Sequence, residues 1–218
     1  MKKENINIIS TGSIGNAVVI NNNILIDCGV SYAKLKEVVK TLQVVLLTHI
    51  HIDHFLPSTI KLLAENRPTL RFVCGDWLVE DLIKCGVNKK NIDVINQFNG
   101  VLYSNGLKVN MQPTFHNVPN CCYKIILPNK RRIFYATDTY TLDNVSAKEY
   151  DYYLIEANYG EEEIEERINA KKTLGMFIYE LKAKENHLSQ EKADEWLNNN
   201  MGYNSEIIYL HGHIDKGQ

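Results

Sequence analysis

The sequence lacks a strong excess of charge, a long apolar run and a low-complexity linker. Its 218 residues include 24 basic and 26 acidic side chains, which gives a formal net charge of −2. Without a global positive field, charge alone does not recruit a long polyanion. No apolar run approaches the length that spans a bilayer, and no apolar signal core follows the first residues. We therefore expect a single domain over residues 1–218, located in the cytoplasm and without a membrane partner.

The cysteines show neither a redox spacing nor a metal-ligand spacing. There are five of them, and none lies in a Cys-x-x-Cys pattern. An odd number without paired spacing fits a reducing compartment better than a disulfide framework. We expect them to be small core residues.

Short β-type runs alternate with amphipathic helical segments along the chain. Strands are predicted at residues 6–9, 17–20, 24–28, 44–47, 70–74, 92–95, 107–111, 122–127, 133–136, 152–155 and 206–210. Helices are predicted at residues 31–42, 57–66, 76–85, 161–183 and 189–200, the last with Ser189 as N-cap. This mixture favours sheets covered by helices over a helical bundle or a pure β-barrel.

The densest group of metal-ligand residue types directly follows the apolar run at residues 44–47. Thr48-His49-Ile50-His51-Ile52-Asp53-His54 contains three imidazoles and one carboxylate in seven residues. Side chains two apart in an extended chain share a face, so His49 and His51 are expected on the same side. Zinc and similar divalent ions accept imidazole nitrogen and carboxylate oxygen together. The segment therefore predicts a metal site.

Three further residues of ligand type each lie just beyond a predicted strand: His116, Asp138 and His211. Any one of them alone would be read as an ordinary loop residue. Their repetition matters, because separate strands that end in such residues can bring them to one edge of a sheet.

The pattern His-x-His-x-Asp-His, matched by His49, His51, Asp53 and His54, resembles the signature of the metallo-β-lactamase superfamily. The resemblance covers essentially the whole chain. It implies an α+β fold, the αβ/βα four-layer sandwich, in which two mixed β-sheets pack face to face with helices outside.

The resemblance also implies a ligand set for two divalent ions. The first ion would be held by His49, His51 and His116. The second would be held by Asp53, His54 and His211, with Asp138 bridging and Asp27 supporting the site from a strand end. Two ions about 3.5–4 Å apart lower the pKa of a shared water towards neutrality, so hydrolysis is the expected chemistry. Zinc is expected, with manganese as the alternative. Iron-based chemistry is less favoured, because flavodiiron-type members carry a Glu where this chain has His51.

Glu156 and His187 extend the resemblance to the ribonuclease Z-like phosphodiesterase branch. Glu156 follows a strand, and His187 begins the pattern His187-Leu188-Ser189-Gln190-Glu191-Lys192-Ala193 at the start of a helix. By this resemblance His187 contacts the scissile phosphate or protonates the leaving oxygen, and Glu156 holds its ring. His187 as a mere helix-entry residue stays an alternative. The predicted catalytic residues are Asp53, His187 and Glu156.

Compact members of this branch narrow the substrate only in part. The segment Gly12-Ser13-Ile14-Gly15-Asn16 resembles the Gly-Ser-x-Gly-Asn loop of WalJ-like members, where it would let backbone approach a bound phosphate, although a tight hairpin turn also explains it. The chain lacks both the β-CASP insertion and the basic arm of ribonuclease Z, so processing of transfer RNA is not expected. The phage anti-Pycsar group, which hydrolyses cyclic mononucleotides, is another compact relative. Single-stranded nucleic acid and cyclic nucleotide both stay open as substrates.

Several alternatives remain at this point. A thioester or lactone hydrolase of the same fold is one, and a non-catalytic binding protein that retains the fold is another. His213 emerges from the same strand as His211 and could replace it as ligand, although His211 lies nearer the strand end. The branch also implies a homodimer.

Overall fold

The computed structural model describes residues 3–212. His213, the alternative to His211, lies outside the described residues. The chain divides into two compact units, one within residues 1–101 and one within residues 102–218. The prediction of a single domain stays a prediction. In the part of the chain that the structure describes, no helix is both long enough and apolar enough to cross a bilayer.

The first unit contains a mixed six-stranded sheet. Its strands, in spatial order, are β1 (Ile6–Ser10), β2 (Ala17–Ile20), β3 (Ile24–Ile26), β4 (Val44–Leu46), β5 (Arg71–Cys74) and β6 (Ile92–Val94). Strands β1 to β3 pair antiparallel, whereas β3 to β6 pair parallel. The helices are α1 (Tyr32–Leu35), α2 (Pro57–Asn66) and α3 (Val79–Lys84), with 3₁₀ turns at Asp76–Leu78 and Lys89–Asn91.

Strands β3 and β4 are buried along their whole length, as expected of parallel strands covered on both faces. Leu25 and Val45 lie in the same apolar core. Because the two strands are parallel neighbours, their carboxyl ends meet at one edge of the sheet. The backbone N–H of Asp27 donates to the carbonyl of Leu46 at 2.8 Å across this edge. The segments that follow β3 and β4 therefore begin side by side.

The second unit also contains a mixed six-stranded sheet. Its strands are β7 (Val101–Leu102), β8 (Lys108–Thr114), β9 (Asn120–Ile126), β10 (Arg132–Ala136), β11 (Tyr152–Glu156) and β12 (Glu206–Leu210), and their spatial order is β12-β11-β10-β9-β8-β7. Strands β10, β11 and β12 are parallel, and β9 pairs antiparallel with both β8 and β10. The helices are α4 (Glu161–Thr173), α5 (Glu180–Asn186) and α6 (Gln190–Asn200).

Four strands of the second sheet run in the same direction, because β8 and β10 are both antiparallel to β9 and β10 to β12 are parallel. Their carboxyl ends therefore lie at one edge. His116 follows β8, Asp138 follows β10, Glu156 is the last residue of β11 and His211 follows β12. The topology thus brings these four residues to the same edge.

Two predicted helices are wrong in extent. Of the helix predicted at residues 31–42, only Tyr32–Leu35 is helical. The rest forms successive turns, and Val38, Val39 and Leu42 are nevertheless buried in the core. The apolar stripe was therefore a correct sign of burial but not of a continuous helix.

The helix predicted at residues 161–183 is broken in two by Gly175. Gly175 has φ +63°, a left-handed conformation that glycine adopts without a steric penalty. The N–H of Gly175 donates to the carbonyl of Lys172 at 3.2 Å, and the N–H of Met176 donates to that of Lys171 at 3.0 Å. This pair of bonds is a Schellman motif, which ends α4.

The strand β7 was not predicted. The prediction of two mixed sheets accompanied by helices is confirmed.

Candidate metal centre

The His-rich segment leaves β4 with two imidazoles turned towards each other. His49 is fully buried and His51 is half-buried. His49 Nε2 lies 3.1 Å from His51 Nδ1. Two nitrogens that bind one ion at about 2.1 Å in tetrahedral geometry are separated by roughly 3.4 Å. The pair therefore has nearly the spacing of two ligands of one ion.

Asp27, at the end of β3, holds the histidine segment from inside the protein. Its fully buried carboxylate accepts hydrogen bonds from the Thr48 N–H at 2.9 Å, from the Thr48 hydroxyl at 2.9 Å and from His54 Nδ1 at 2.8 Å. The Thr48 oxygen in turn lies 2.9 Å from His49 Nδ1. One carboxylate thus orients His54 directly and His49 through Thr48. A carboxylate only accepts hydrogen bonds when ionised, so it fixes the proton on Nδ1 of His54 and leaves Nε2 as the donor atom for a metal.

Asp53 and His54 form a second pair of ligand-type groups in this unit. Asp53 Oδ2 lies 3.8 Å from His54 Nε2. The Asp53 side chain is 22% exposed, whereas that of His54 is fully buried. The partly exposed carboxylate therefore lies beside the Nε2 atom of His54, the ring nitrogen that does not contact Asp27.

In the second unit, Asp138, Glu156, His187 and His211 form one cluster. One donor atom from each of these four residues lies within 4.8 Å of the others. Asp138 Oδ1 is 3.4 Å from His187 Nδ1 and 3.4 Å from His211 Nε2. The rings of His187 and His211 are stacked, with centroids 5.1 Å apart. Asp138 thus lies against both imidazoles.

Glu156 is fully buried and acts as the acceptor at the centre of this cluster. Its Oε1 lies 2.6 Å from His187 Nδ1 and 3.3 Å from His211 Nδ1. Its Oε2 accepts the N–H of Thr139 at 3.0 Å and the N–H of Leu188 at 3.3 Å. Burial opposes ionisation, but the charge of His187 and the hydrogen bonds from His187 and His211 outweigh it and lower the pKa of Glu156. Glu156 therefore stays a carboxylate and orients both rings.

The charge of Glu156 acts on His187 in return. Burial by itself lowers the pKa of His187, but the neighbouring Glu156 and Asp138 carboxylates outweigh it and raise that pKa above its ordinary value. Because Glu156 accepts from Nδ1, the ring is held through that nitrogen. The two carboxylates therefore favour the protonated form of the His187 imidazole, and the contact with Glu156 fixes the orientation of its ring.

His116 and His211 are each held by a contact that the sequence did not indicate. His116 Nδ1 lies 3.1 Å from the carbonyl oxygen of Asn186, 70 positions away, so Nδ1 is the donor of this hydrogen bond. The Asn158 amide nitrogen donates to the carbonyl of His211 at 3.1 Å and lies 2.9 Å from its Nδ1. Asn158 follows Glu156 by two positions, which is the only signal that the sequence offered.

Three residues of these clusters have a left-handed backbone. The φ angles are +57° at Asp27, +51° at Asp138 and +57° at His211. Each of them lies just beyond the end of a strand. Such conformations are strained for residues other than glycine, and they concentrate at functional sites. Here the left-handed conformation turns the chain just after the strand, so that the side chain is presented at the edge of the sheet.

The predicted site residues are therefore divided between the two units. His49, His51, Asp53, His54 and Asp27 form one cluster in the first unit, and Asp138, Glu156, His187 and His211 form another in the second, with the His116 ring 5.7 Å from that of His187. The donors are imidazole nitrogens and carboxylate oxygens, and several of the imidazoles are oriented through the other ring nitrogen. This donor set fits divalent ions of the zinc type.

The fold of this chain is similar to those of solved protein structures. The chain is similar to the metallo-beta-lactamase fold protein YhfI from Bacillus subtilis, with 17% identity over 96% of this chain and 86% of that chain and a TM-score of 0.72. It is also similar to the short form of human tRNase Z, with 14% identity over 95% of this chain and 92% of that chain and a TM-score of 0.69. At these identities the likeness shows the fold alone. No curated protein sequence matches this chain.

Residues 22–211 match the model of the beta-lactamase superfamily domain. The match covers most of the chain, and it confirms both the predicted family and the predicted metallo-β-lactamase fold. Together with the His/Asp clusters it supports a metal-dependent hydrolase. This chain belongs to the beta-lactamase superfamily.

Proposed function

We propose that the protein is a phosphodiesterase that uses two divalent metal ions. Its substrate would be a single-stranded nucleic acid or a cyclic nucleotide. The observation that carries the proposal is the contact of 2.6 Å between Glu156 and His187 beside Asp138. It supplies an oriented proton donor, and cleavage of a phosphodiester needs one because an alkoxide is a poor leaving group. The fold similarity to human tRNase Z, a nuclease by name, also supports it.

The ions would be held by the ligand set that the family resemblance implies: His49, His51, Asp53, His54, His116, Asp138 and His211. Zinc fits this set of nitrogen and oxygen donors, and manganese is the alternative. When bound, such ions supply Lewis-acid activation of water and of the phosphoryl group.

The protein's own residues would supply orientation and a proton. Asp27 and Glu156 hold the imidazoles of His54 and His187 through Nδ1. His187 gives its proton to the leaving oxygen while Glu156 keeps the ring in place. The carboxylate of Asp53 is 22% exposed, so it is available to a ligand from the solvent side. Asp53, Glu156 and His187 are the residues that we assign to the reaction.

The test compares substrates and then variants. Purified protein is loaded with zinc or manganese and assayed with bis-p-nitrophenyl phosphate, cyclic mononucleotides, single-stranded DNA, single-stranded RNA, a thioester and a lactone. We expect phosphodiester turnover, and we expect His187→Ala to lose 10²–10⁴-fold in kcat because it removes the proton donor. Hydrolysis of the thioester or lactone alone would overturn the proposal in favour of a carboxylic hydrolase of this fold. Protein that binds no metal would point to a binding protein that retains the fold.

We also propose a homodimer in the cytoplasm. All five cysteines are buried thiols, which fits a reducing compartment. Leu174, Met176 and Phe177, between α4 and α5, are 70%, 55% and 77% exposed, an apolar surface of the kind found at interfaces. Light scattering coupled to size-exclusion chromatography measures the mass, and a monomer at all concentrations would contradict the dimer.

A further inference from the structure

The amide of Asn16 is buried and its orientation is fixed. Asn16 is 2% exposed. Its Oδ1 accepts the N–H of Gly12 at 2.9 Å, and its Nδ2 donates to the carbonyl of Gly12 at 3.1 Å. Since only an oxygen can accept from the Gly12 N–H, the nitrogen end of the amide must point away from that N–H. The amide therefore has one orientation.

The nitrogen end of this amide lies against two of the ligand-type residues. Nδ2 is 3.2 Å from the carbonyl oxygen of Asp53 and 2.8 Å from His54 Nε2. The backbone N–H of Asn16 also donates to the Asp53 carbonyl, at 2.6 Å. Asn16 thus binds the Asp53–His54 turn through its backbone and its side chain. Its amide faces protein groups and is closed to solvent, which does not suit a contact with a bound phosphate.

Two glycines let the Asn16 segment approach this turn closely. A Cβ added to Gly29 would lie 1.7 Å from the carbonyl oxygen of Asp53, and one added to Gly15 would lie 2.3 Å from the carbonyl oxygen of Gly29. The N–H of Gly29 donates to the Asn16 carbonyl at 2.9 Å. Three backbone segments are therefore stacked at distances that exclude any larger side chain. The packing holds Asn16 against Asp53 and His54.

The Asn16 Nδ2 atom has more hydrogen-bond acceptors within reach than it has N–H groups. The amide has two N–H groups and three acceptors within reach: the Gly12 carbonyl, the Asp53 carbonyl and His54 Nε2. Asp27 accepts from the Nδ1 of His54, so Nε2 carries the lone pair that a metal would take. If a cation took that lone pair, the two N–H groups of Asn16 would match the two carbonyl oxygens.

We infer that Asn16 is a positioning residue for the ion bound by Asp53 and His54. It fixes the turn that carries these two ligands, and it selectively sets the affinity of the ion that they would hold. The inference rests on the proposed two-ion function. Aspartate at this position would lack the N–H donors, and serine would be too short to reach both carbonyls.

Metal titration of the folded protein tests this. Metal-free wild type, Asn16→Ala, Asn16→Ser and His54→Ala are titrated with zinc and with manganese against a chromogenic chelator. We expect wild type to bind two ions per chain. We expect Asn16→Ala to bind one ion as wild type does and the other 10–100-fold more weakly, as is usual when a residue that orients a ligand is removed. His54→Ala should weaken the same ion.

Asn91→Ala is the matched control. Asn91 is 9% exposed and donates to the carbonyl of Pro68 at 2.7 Å, in the same unit. It should lower the melting temperature while both affinities stay at the wild-type value. If Asn16→Ala does not fold, Asn16→Ser carries the comparison. Wild-type affinities in the Asn16 variants, or equal weakening of both ions, would overturn the inference. Failure of wild type to bind any ion would overturn the proposed function itself.

Discussion

At the scale of single residues, the two units contain the same carboxylate–imidazole hydrogen bond. A fully buried carboxylate accepts from the Nδ1 of an imidazole at short range: Asp27 from His54 at 2.8 Å, and Glu156 from His187 at 2.6 Å. This hydrogen bond fixes the ring and its tautomer. The difference lies in what surrounds the ring. Asp138 lies 3.4 Å from His187, so that imidazole has two neighbouring carboxylates, which favour its protonated form.

Asp138 and His187 should therefore fail in different ways. Asp138→Ala removes a ligand-type carboxylate that contacts both His187 and His211, so metal content and turnover should fall together. His187→Ala should keep two ions per chain and lose turnover. Elemental analysis beside kcat measures both. Equal loss of metal in the two variants would show that His187 is itself a ligand.

A third residue-scale prediction concerns Asp151, which joins β10 to β11. Its carboxylate accepts the N–H of Arg132 at 2.7 Å and forms an ion pair with Arg131. Burial favours the neutral form, but these hydrogen bonds and the two arginine charges outweigh it and lower the pKa of Asp151. Asp151→Asn should reduce the free energy of unfolding by about 1 kcal/mol at pH 7.

The pH dependence of this effect has a definite sign. A carboxyl group with a lowered pKa in the folded state stabilises the protein above its unfolded pKa, and that stability is lost as the pH falls through the folded value. The difference between wild type and Asp151→Asn should therefore shrink below about pH 4. Urea unfolding at neutral and acid pH measures it, with Asp143→Asn, an exposed residue, as control. A gap that is unchanged in acid would contradict the assignment.

At the scale of elements, the sequence predicted burial better than hydrogen bonding. Helix α2 has the predicted bounds, with Pro57 at its first position. Leu35, Val38 and Leu42 form a stripe that is apolar and buried in the core. The backbone hydrogen bonds of this segment are nevertheless made by successive turns and not by a continuous helix. Apolar periodicity reports which side chains face the core. It does not report whether the backbone between them keeps its helical hydrogen bonds.

The break between α4 and α5 could have been predicted. Gly175 directly follows the last turn of a helix with lysines near its end, which is a sequence signal for a Schellman motif. The predicted helix runs through Gly175, and Glu, Ala and Lys on both sides of it do favour helix. Local turn chemistry outweighed average propensity here.

Ser189 as the N-cap of α6 is confirmed, and it gives an element-scale prediction. Its hydroxyl accepts the N–H of Lys192 at 3.2 Å and is buried. Ser189→Ala should lower the free energy of unfolding by about 1 kcal/mol, since it leaves that donor without its acceptor. Urea unfolding measures the loss, and the exposed Ser146→Ala is the control. Equal stability of both variants would show that the cap contributes nothing.

At the scale of the whole molecule, the ligand-type residues were predictable, and so were Asp27 and Glu156, two carboxylates that hold imidazoles. The other residues that hold the site were not. His49 to His54 lie in one motif, and Asp138 and His211 lie at strand ends. Thr48 and Asn158 act through hydrogen bonds that carry no sequence signature of their own. Asn16 lies in the Gly-Ser-x-Gly-Asn segment, but that resemblance pointed to a bound phosphate and not to the Asp53–His54 turn. The partner of His116 is a backbone carbonyl 70 positions away, which no spacing rule identifies.

Metal should stabilise the molecule as a whole. The described clusters place Asp27, Asp138 and Glu156 in the protein interior together with several imidazoles. An ion that binds only the folded state adds about 2.7 kcal/mol for each site at a free concentration of 100 times its Kd. Calorimetry of chelator-treated protein should therefore show a melting temperature that rises with added zinc or manganese. A melting temperature that does not respond to either ion would contradict a metal site in the folded state.

The left-handed backbone at Asp27, Asp138 and His211 has a consequence for any attempt to re-engineer this protein. A substitution at any of these positions must meet two conditions. The new side chain must supply the required chemistry, and the new residue must adopt the φ angle of +57°, +51° or +57° found there. Asparagine, aspartate and glycine tolerate that conformation, whereas valine and isoleucine do not. Engineers who want a different metal preference should therefore leave these three positions alone and vary His51, which is half-buried and is absent from the positive-φ residues.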